Sequence, residues 1–473
     1  MMIIVVVLVY FGLLFAVSRW TSRRATNESF FRAERKSPWY MVAFGMVGAS
    51  ISGVTFVSVP GMVLHSQMTY LQVCMGFILG YVAVAFVLLP LYYRQNLTSI
   101  YAYLGQRLGA RSHRTGSSFF LLSKMAGAAV KFYVVCIILQ RFVFTPLGVP
   151  FVVTVVGMVL LIWLYTRQGG IKTLVWTDSL QTLCLFSALL LIIYKVMTDM
   201  GLSVGNAIGT VAQSDLSRVF VFDDWGSRQN FWKQFLSGVF IVIVMTGLDQ
   251  DMMQKNLTCK NLREAQKDMC TYGLAFVPAN LLFLSLGVLL VMWYQHHGVA
   301  LPATGDDLLP QYISLTAHDS LLNAVFVLGI VAASFSSADS ALTSLTTIYC
   351  VDIRQQSDNE QLRKRCHLLM CVLFMLFILL FKTVNSTSLI DAVYIIVSYT
   401  YGPLLGLFAF GLLTKRNVND RLAPWIAVAS PFLCYAIDYG VGQWTGYRFG
   451  YELLMLNGLF TFIGLWLTSR PRS

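Results

Sequence analysis

Residues 332–340 read Ala332-Ala333-Ser334-Phe335-Ser336-Ser337-Ala338-Asp339-Ser340 and lie inside a long apolar segment. In a bilayer core no water is available to hydrogen-bond such side chains, so each needs an internal partner. A small cation is the simplest partner for a cluster of hydroxyls. Sodium is a hard ion, and hydroxyl and carbonyl oxygens suit it, by analogy with other hard ions. At about 100° per residue along a helix, Ser336, Ser337 and Ser340 share a face with Ala333.

The remaining oxygens are expected from residues 45–61, Gly45-Met46-Val47-Gly48-Ala49-Ser50-Ile51-Ser52-Gly53-Val54-Thr55-Phe56-Val57-Ser58-Val59-Pro60-Gly61. Glycines weaken a helix and proline removes a backbone donor, so this span can unwind and free carbonyls in mid-membrane. The alternative is a helix that uses its small residues for close packing. Carbonyls from this span and two serine hydroxyls from 332–340 would make a five-oxygen cage that needs no full charge.

Further polar residues stand in apolar surroundings. Asp178 and Asp339 are intramembrane acids, read either as functional groups or as partners of a nearby Lys or Arg. Lys124 and Lys131 are seven residues apart on one helix face. Lys131 lies roughly 22 Å along its helix, too deep to snorkel. It would bind an anionic solute or neutralise an acid. Gly247-Leu248-Asp249-Gln250-Asp251 ends an apolar span, as a site or as interfacial capping. Tyr399-Thr400-Tyr401-Gly402-Pro403 is expected to interrupt another, as a hinge or a packing kink.

The elements that must position these residues follow from composition. Of 473 residues, 57% are hydrophobic and 12% charged, about half the charge of a soluble domain, which implies a polytopic all-α membrane protein. Its apolar runs are too long and unbroken for a β-barrel. About thirteen spans are predicted, at roughly 2–20, 38–63, 70–93, 116–144, 150–166, 173–197, 231–253, 268–295, 321–350, 366–384, 388–413, 421–441 and 449–468. The first lacks a basic n-region and reads as a retained helix, not a cleaved leader.

Basic residues alternate between loops. They follow the first span (Arg19, Arg23, Arg24, Arg32, Arg35, Lys36) and every second span after it (for example Arg94 and Arg107, Arg167 and Lys172, Lys255 and Lys260, Arg363 and Lys364, Lys415 and Arg416). The 298–320 loop has none and carries Asp306, Asp307 and Asp319. The positive-inside rule puts the N-terminus outside and the C-terminus in the cytoplasm of a plasma (inner) membrane protein. The net charge of +12 is then a loop property. No basic stripe with interleaved aromatics points to nucleic acid. The nine cysteines are scattered without a CxxC, so neither a disulfide framework nor a metal knuckle is expected. No GxxxxGK[ST], HExxH or GxSxG is present, so neither ATP-driven transport nor an enzyme is expected.

Three runs carry a family resemblance: Gly169-Gly170-Ile171-Lys172-Thr173-Leu174-Val175-Trp176-Thr177-Asp178, Asp249-Gln250-Asp251-Met252-Met253-Gln254, and the serine-rich stretch continuing to Asp352. With them, nearly the whole chain resembles the sodium:solute symporter family, which contains sodium-coupled sugar, proline, sialic acid, iodide and monocarboxylate carriers. The resemblance implies a LeuT-type core of two inverted five-helix repeats, here about 38–197 and 231–413. The first span precedes them, and two C-terminal spans at about 421–468 follow, all in one domain.

Carried over residue by residue, the resemblance implies a sodium site from the Gly48, Ile51 and Ala333 carbonyls and the Ser336 and Ser337 hydroxyls. A second sodium, which some members use, would involve Asp178, Asp339 and Ser340. Solute would dock among Ser52, Thr55, Phe56, Gln72, Lys124, Lys131, Thr246 and Tyr399. A Glu-Gln pair of the sugar carriers is matched by Val54 and Thr55, which disfavours hexose. Sialic acid carriers place an arginine where Lys124 and Lys131 stand, which points to an organic anion such as a sialic acid or monocarboxylate. The expected function is sodium-coupled import of a small organic solute by alternating access, with lipid as solvent and no obligatory protein partner. A proton-coupled or uncoupled carrier on the same scaffold is the alternative, and a membrane sensor or channel a remote one.

Overall fold

A computed structural model describes residues 2–23, 26–316, 319–384, 389–447 and 449–471, without the side chains of 384 and 389–392. Arg24 and the predicted start of a span at 388 lie outside the described residues. Backbone groups in a bilayer must be satisfied within the segment, which for an open chain means helix. The bundle is built, in chain order, from α1 (Met2–Thr21), α2 (Trp39–Ser50), α3 (Gly53–Gly61), α4 (Tyr70–Ala83), α5 (Ala110–Leu139), α6 (Phe151–Thr166), α7 (Ile171–Asp199), α8 (Phe231–Val242), α9 (Gln250–Asn256), α10 (Leu262–His296), α11 (Ser320–Ile348), α12 (Glu360–Val384), α13 (Leu389–Leu413), α14 (Ala423–Thr445) and α15 (Leu453–Thr468).

Among the described residues, nine helices are long and apolar enough to cross a membrane, or eleven if each of two bent pairs is one span. Two further expected spans are α6 and α15, of 16 residues each. At 1.5 Å per residue these are ~24 Å long, short of a ~30 Å hydrocarbon core.

The bent pairs matter most for function. The helix of α2 and that of α3 meet at 59°, and α8 and α9 are bent by 69°. The first break falls at Ile51 (ψ 92°) and Ser52 (ψ 174°), both extended. Pro60, the stronger breaker on paper, instead sits inside α3 without ending it. Close approach explains the glycines that flank the break. A Cβ on Gly48 would collide with Thr182 of α7, and one on Gly53 with Ser334 of α11. A wide π-turn over Ile243–Gly247 loosens α8 before the second break.

The expected interruption at Tyr399–Pro403 does not occur, because α13 runs continuously through it. Pro403 offers no N–H to the Tyr399 carbonyl four residues back. Asn457 of α15 compensates, its Nδ2 donating to the carbonyls of Ser398 and Tyr399 at 2.9 and 3.1 Å.

At the centre is α11, in which every residue from Gly329 to Ile348 is buried. It packs against α1, α5 and α7, while α2 packs against α7 and α10. The basic loops meet at one end of the bundle. Arg32 donates to the Asn96 carbonyl, Ser37 N to the Thr258 carbonyl, Arg107 to the Arg416 carbonyl and Arg363 to Asn27. The alternation of charge along the sequence is thus an alternation of ends.

At that end Lys172 donates to Glu34 at 3.0 Å, with help from Ser29 and Lys36, and holds its carboxyl down from the usual 4.5 to about 2. A depressed carboxylate contributes stability above its unfolded value and loses it as pH falls through its folded one. Melting temperatures of the protein should therefore fall between pH 4.5 and about 2 by more in the native chain than in Glu34→Gln. Parallel pH profiles would show instead that the pair contributes nothing.

Candidate substrate and ion site

A cavity of about 130 Å³ lies where the two broken helices face each other. By the 10–15 Å³ a water position needs, that is room for roughly ten waters. Ser52 and Thr55 reach it from the first break, and Thr246, Asp249 and Asp251 from the second. Lys124 and Lys131 of α5, Tyr81, Tyr272, Ser337 and Tyr401 are also in its polar lining, with Ser50, Tyr70, Ser123 and Tyr394.

The charges in it are unequally paired. Lys124 Nζ stands 3.0 Å from Asp249 Oδ2 and 2.7 Å from Asp251 Oδ2. Tyr401 OH donates to the same Asp249 Oδ2 at 2.7 Å, tying α13 to the break. Asp249 Oδ1 caps α9 by accepting from Asp251 N at 2.8 Å. Asp251 Oδ1 is buried without a hydrogen-bond donor. Lys131, two turns along from Lys124, makes no hydrogen bond or ion pair with the described residues. Opposite the lysines, Ser50 Oγ, Tyr272 OH and Tyr81 OH form a chain at 2.5 and 2.8 Å.

Behind the first break, α2, α7 and α11 converge. The last backbone bond of α2 runs from Ile51 N to the Val47 carbonyl, and α3 opens with Phe56 N to the Ser52 carbonyl. Of the carbonyls between, that of Ala49 accepts from Ser337 Oγ at 2.8 Å. Ser336 Oγ donates to Asp178 Oδ1 at 2.7 Å. Asp178 Oδ2 is 2.7 Å from Lys255 Nζ, and both side chains are buried. Asp339 accepts from Tyr165 OH at 2.6 Å and from Ser340 Oγ at 3.3 Å. Gly48, Ile51, Ala333, Ser336, Ser337, Asp178, Asp339 and Ser340 are all buried.

Of the residues expected to meet solute, Ser52, Thr55, Lys124, Lys131 and Thr246 line the cavity, and Phe56, Gln72 and Tyr399 do not. Phe56 is one residue, so about 100°, around the helix from Thr55. Its ring meets Phe283 edge-to-face and Phe326 at a tilt. The Gln72 amide is consumed by the Gln229 carbonyl and Val221 N, which pin the long loop at the other end of the bundle. Tyr399 lies at the contact with Asn457.

Sequence reading missed Tyr81 and Tyr272, and took Tyr401 for part of a hinge or kink, since an intramembrane tyrosine looks like any interfacial anchor. It took Lys255 for a loop charge. The one available signal was Gly247 followed by two acids, which reads equally well as capping.

Over 438 residues the chain is 25% identical to the sodium/sialic acid symporter NanT of Aliivibrio fischeri, covering 88% of this chain and 84% of that one. It is 26% identical to the sodium/sialic acid symporter SiaT of Proteus mirabilis, covering 89% and 86%. A solved substrate-bound outward-open state of a Na+-coupled sialic acid symporter superposes with a TM-score of 0.85 at 22% identity, over 100% of this chain and 99% of that one. The nucleobase-cation-symport-1 transporter Mhp1, closed with bromovinylhydantoin bound, gives 0.58 at 15% identity, over 93% and 92%. Those likenesses establish the LeuT-type fold with its two broken helices. The model of the sodium:solute symporter family matches residues 30–425, which include both breaks and the serine-rich α11, and the chain belongs to that family.

Proposed function

We propose that this sodium-coupled membrane symporter imports a small organic anion, with Lys131 holding the anionic group. The observation that carries this is the unequal pairing of the cavity lysines. Lys124 is neutralised by two carboxylates, whereas Lys131 is left to a ligand. A buried charge needs a partner, and a solute carboxylate supplies one. Asp249 and Asp251 line the same cavity, so a hydroxyl or ammonium on the same solute has carboxylates to meet. Sialic acids and smaller hydroxy or amino acids share that chemistry.

Sodium is proposed at the carbonyls of Gly48, Ile51 and Ala333 with the hydroxyls of Ser336 and Ser337. An ion there would pin the α2–α3 break to α11. Ser337 also lines the solute cavity, so ion and solute share one wall. Binding sodium therefore orders the wall that solute needs, which is the coupling that symport requires. The basic end is assigned to the cytoplasm, with the N-terminus outside. Inward movement of each sodium draws on its gradient plus about 2.3 kcal/mol per charge per 100 mV, and a monovalent anion moving with it costs the same electrical term.

The test is uptake into proteoliposomes from a mixture of carboxylic acids, amino acids and neutral sugars, under an inward sodium or potassium gradient, read by mass spectrometry of trapped solute. Sodium-dependent accumulation of a carboxylate is expected. Accumulation of neutral sugars alone would overturn the anion reading.

A further inference from the structure

Three ionisable side chains, Asp178 of α7, Lys255 of α9 and Asp339 of α11, are buried together behind the first break, exposed by 1%, 1% and 0%. We infer that Lys255 supplies, from within the chain, the positive charge that a second sodium would bring to Asp178, so that this symporter binds a single sodium ion. The inference rests on the sodium reading above and goes beyond it by fixing the stoichiometry.

Occupancy is the first argument. Lys255 Nζ lies 2.7 Å from Asp178 Oδ2. A hard cation takes oxygens at about 2.3–2.6 Å, as calcium does, so it would need the volume that the ammonium fills. The other carboxylate oxygen, Oδ1, accepts from Ser336 Oγ. Each oxygen of Asp178 thus already has a partner, and the ammonium holds the place at Oδ2 that a second cation would take.

The second argument is charge. Among Asp178, Asp339 and Lys255 the ammonium already neutralises one of the two acids, so a second cation gains less there than it would if Lys255 were absent. Lys255 meets Asp178 as its ion-pair partner, and without it Asp178 would be a buried carboxylate held only by neutral groups, the Ser336 hydroxyl and the Gln181 amide. The rest of the expected second set does not make up the loss. The hydroxyls of Tyr165 and Ser340 both donate to Asp339, one to each oxygen. The set expected for a second sodium is thus not a match for it while Lys255 is present.

Position gives the third. Lys255 ends the short helix that follows the second break, so its side chain spans from the second repeat to α7 of the first. A sodium ion leaves its site in each cycle. A tethered ammonium does not, and it links α9 to α7 whatever the sodium concentration. With one sodium per monovalent anion, transport moves no net charge.

The test counts sodium ions on the purified full-length protein in detergent, without solute, by saturation binding of radioactive sodium. Wild type, Lys255→Met and Lys255→Arg are compared, each first checked by gel filtration. One ion per chain is expected on wild type and on Lys255→Arg, and two on Lys255→Met, where Asp178 is left to recruit its own cation. Two ions on wild type, or one on monodisperse Lys255→Met, would overturn the inference and leave the sodium reading intact. No bound sodium on wild type would overturn that reading and the inference with it. If Lys255→Met does not fold, the wild-type count decides alone.

Discussion

Replacing Ser336 and Ser337 together by alanine abolishes sodium-stimulated uptake and raises the half-saturating sodium concentration by two to four orders of magnitude. The estimate takes about 1.5–3 kcal/mol for each lost hydroxyl–cation contact, with about 1.4 kcal/mol per decade. Both hydroxyls already donate, Ser336 to Asp178 and Ser337 to the Ala49 carbonyl. That does not disqualify them as ligands, because a hydroxyl has one donor and two acceptor sites. Its proton can stay on Asp178 or Ala49 while an oxygen lone pair faces the ion. The same bonds aim those lone pairs, so the single variants should each lose at least tenfold. Ser336→Ala also deprives Asp178 of a donor in a buried place. Thermal stability of each variant without sodium must therefore be measured beside the sodium curves. Serine-to-threonine variants keep the oxygen and should retain most of the dependence. An unchanged sodium curve in the folded double variant would remove these two residues from the ion site.

How much of this was legible in the sequence depends on what carried the signal. The first break was signalled by four glycines and three serines in one apolar span, a pattern that close helix packing through small residues explains equally well. Its position was not, because Pro60 is the loudest breaker in the run and yet is absorbed within α3. What sets the bend at Ile51–Ser52 is tertiary: Gly48 and Gly53 let the two half-helices press on Thr182 and Ser334. Pro403 misled in the same way, since the carbonyl it frees is satisfied by Asn457, some 58 residues away in sequence. The second break had a single glycine before it, and its two acids resemble an ordinary cap. Lys255 is the clearest loss. Its neighbours are Lys260, in the connecting loop, and Arg263 and Lys267, in the first turns of α10, and one-dimensional spacing cannot show that α9 turns Lys255 inward onto Asp178. Charge counted by loop grouped the basic loops at one end of the bundle, and for the same reason it concealed that Lys255, counted with them, is buried against Asp178.

Lys131→Ala lowers affinity for an anionic solute by about 10- to 150-fold, the range for losing a hydrogen bond to a charged group, and spares its uncharged analogue. The contrast with Lys124 gives the prediction its content. Lys124 is bound to Asp249 and Asp251, and Asp249 in turn holds Tyr401. Removing Lys124 leaves two carboxylates facing the cavity and loosens the contact between α5, α9 and α13, so Lys124→Ala should impair every solute. Lys131 bears no such structural burden, because no described residue pairs with it. Sodium-driven uptake of a carboxylic acid and of its primary amide, measured side by side, separates the two cases. The native chain prefers the acid, Lys131→Ala prefers neither, and Lys124→Ala transports both poorly. Lys131→Arg restores part of the preference, since it keeps the charge but replaces a compact ammonium with a planar fork. Equal loss of acid and amide in Lys131→Ala would make Lys131 a structural residue and move the recognition of the solute to the Tyr272–Tyr81–Ser50 wall of the cavity.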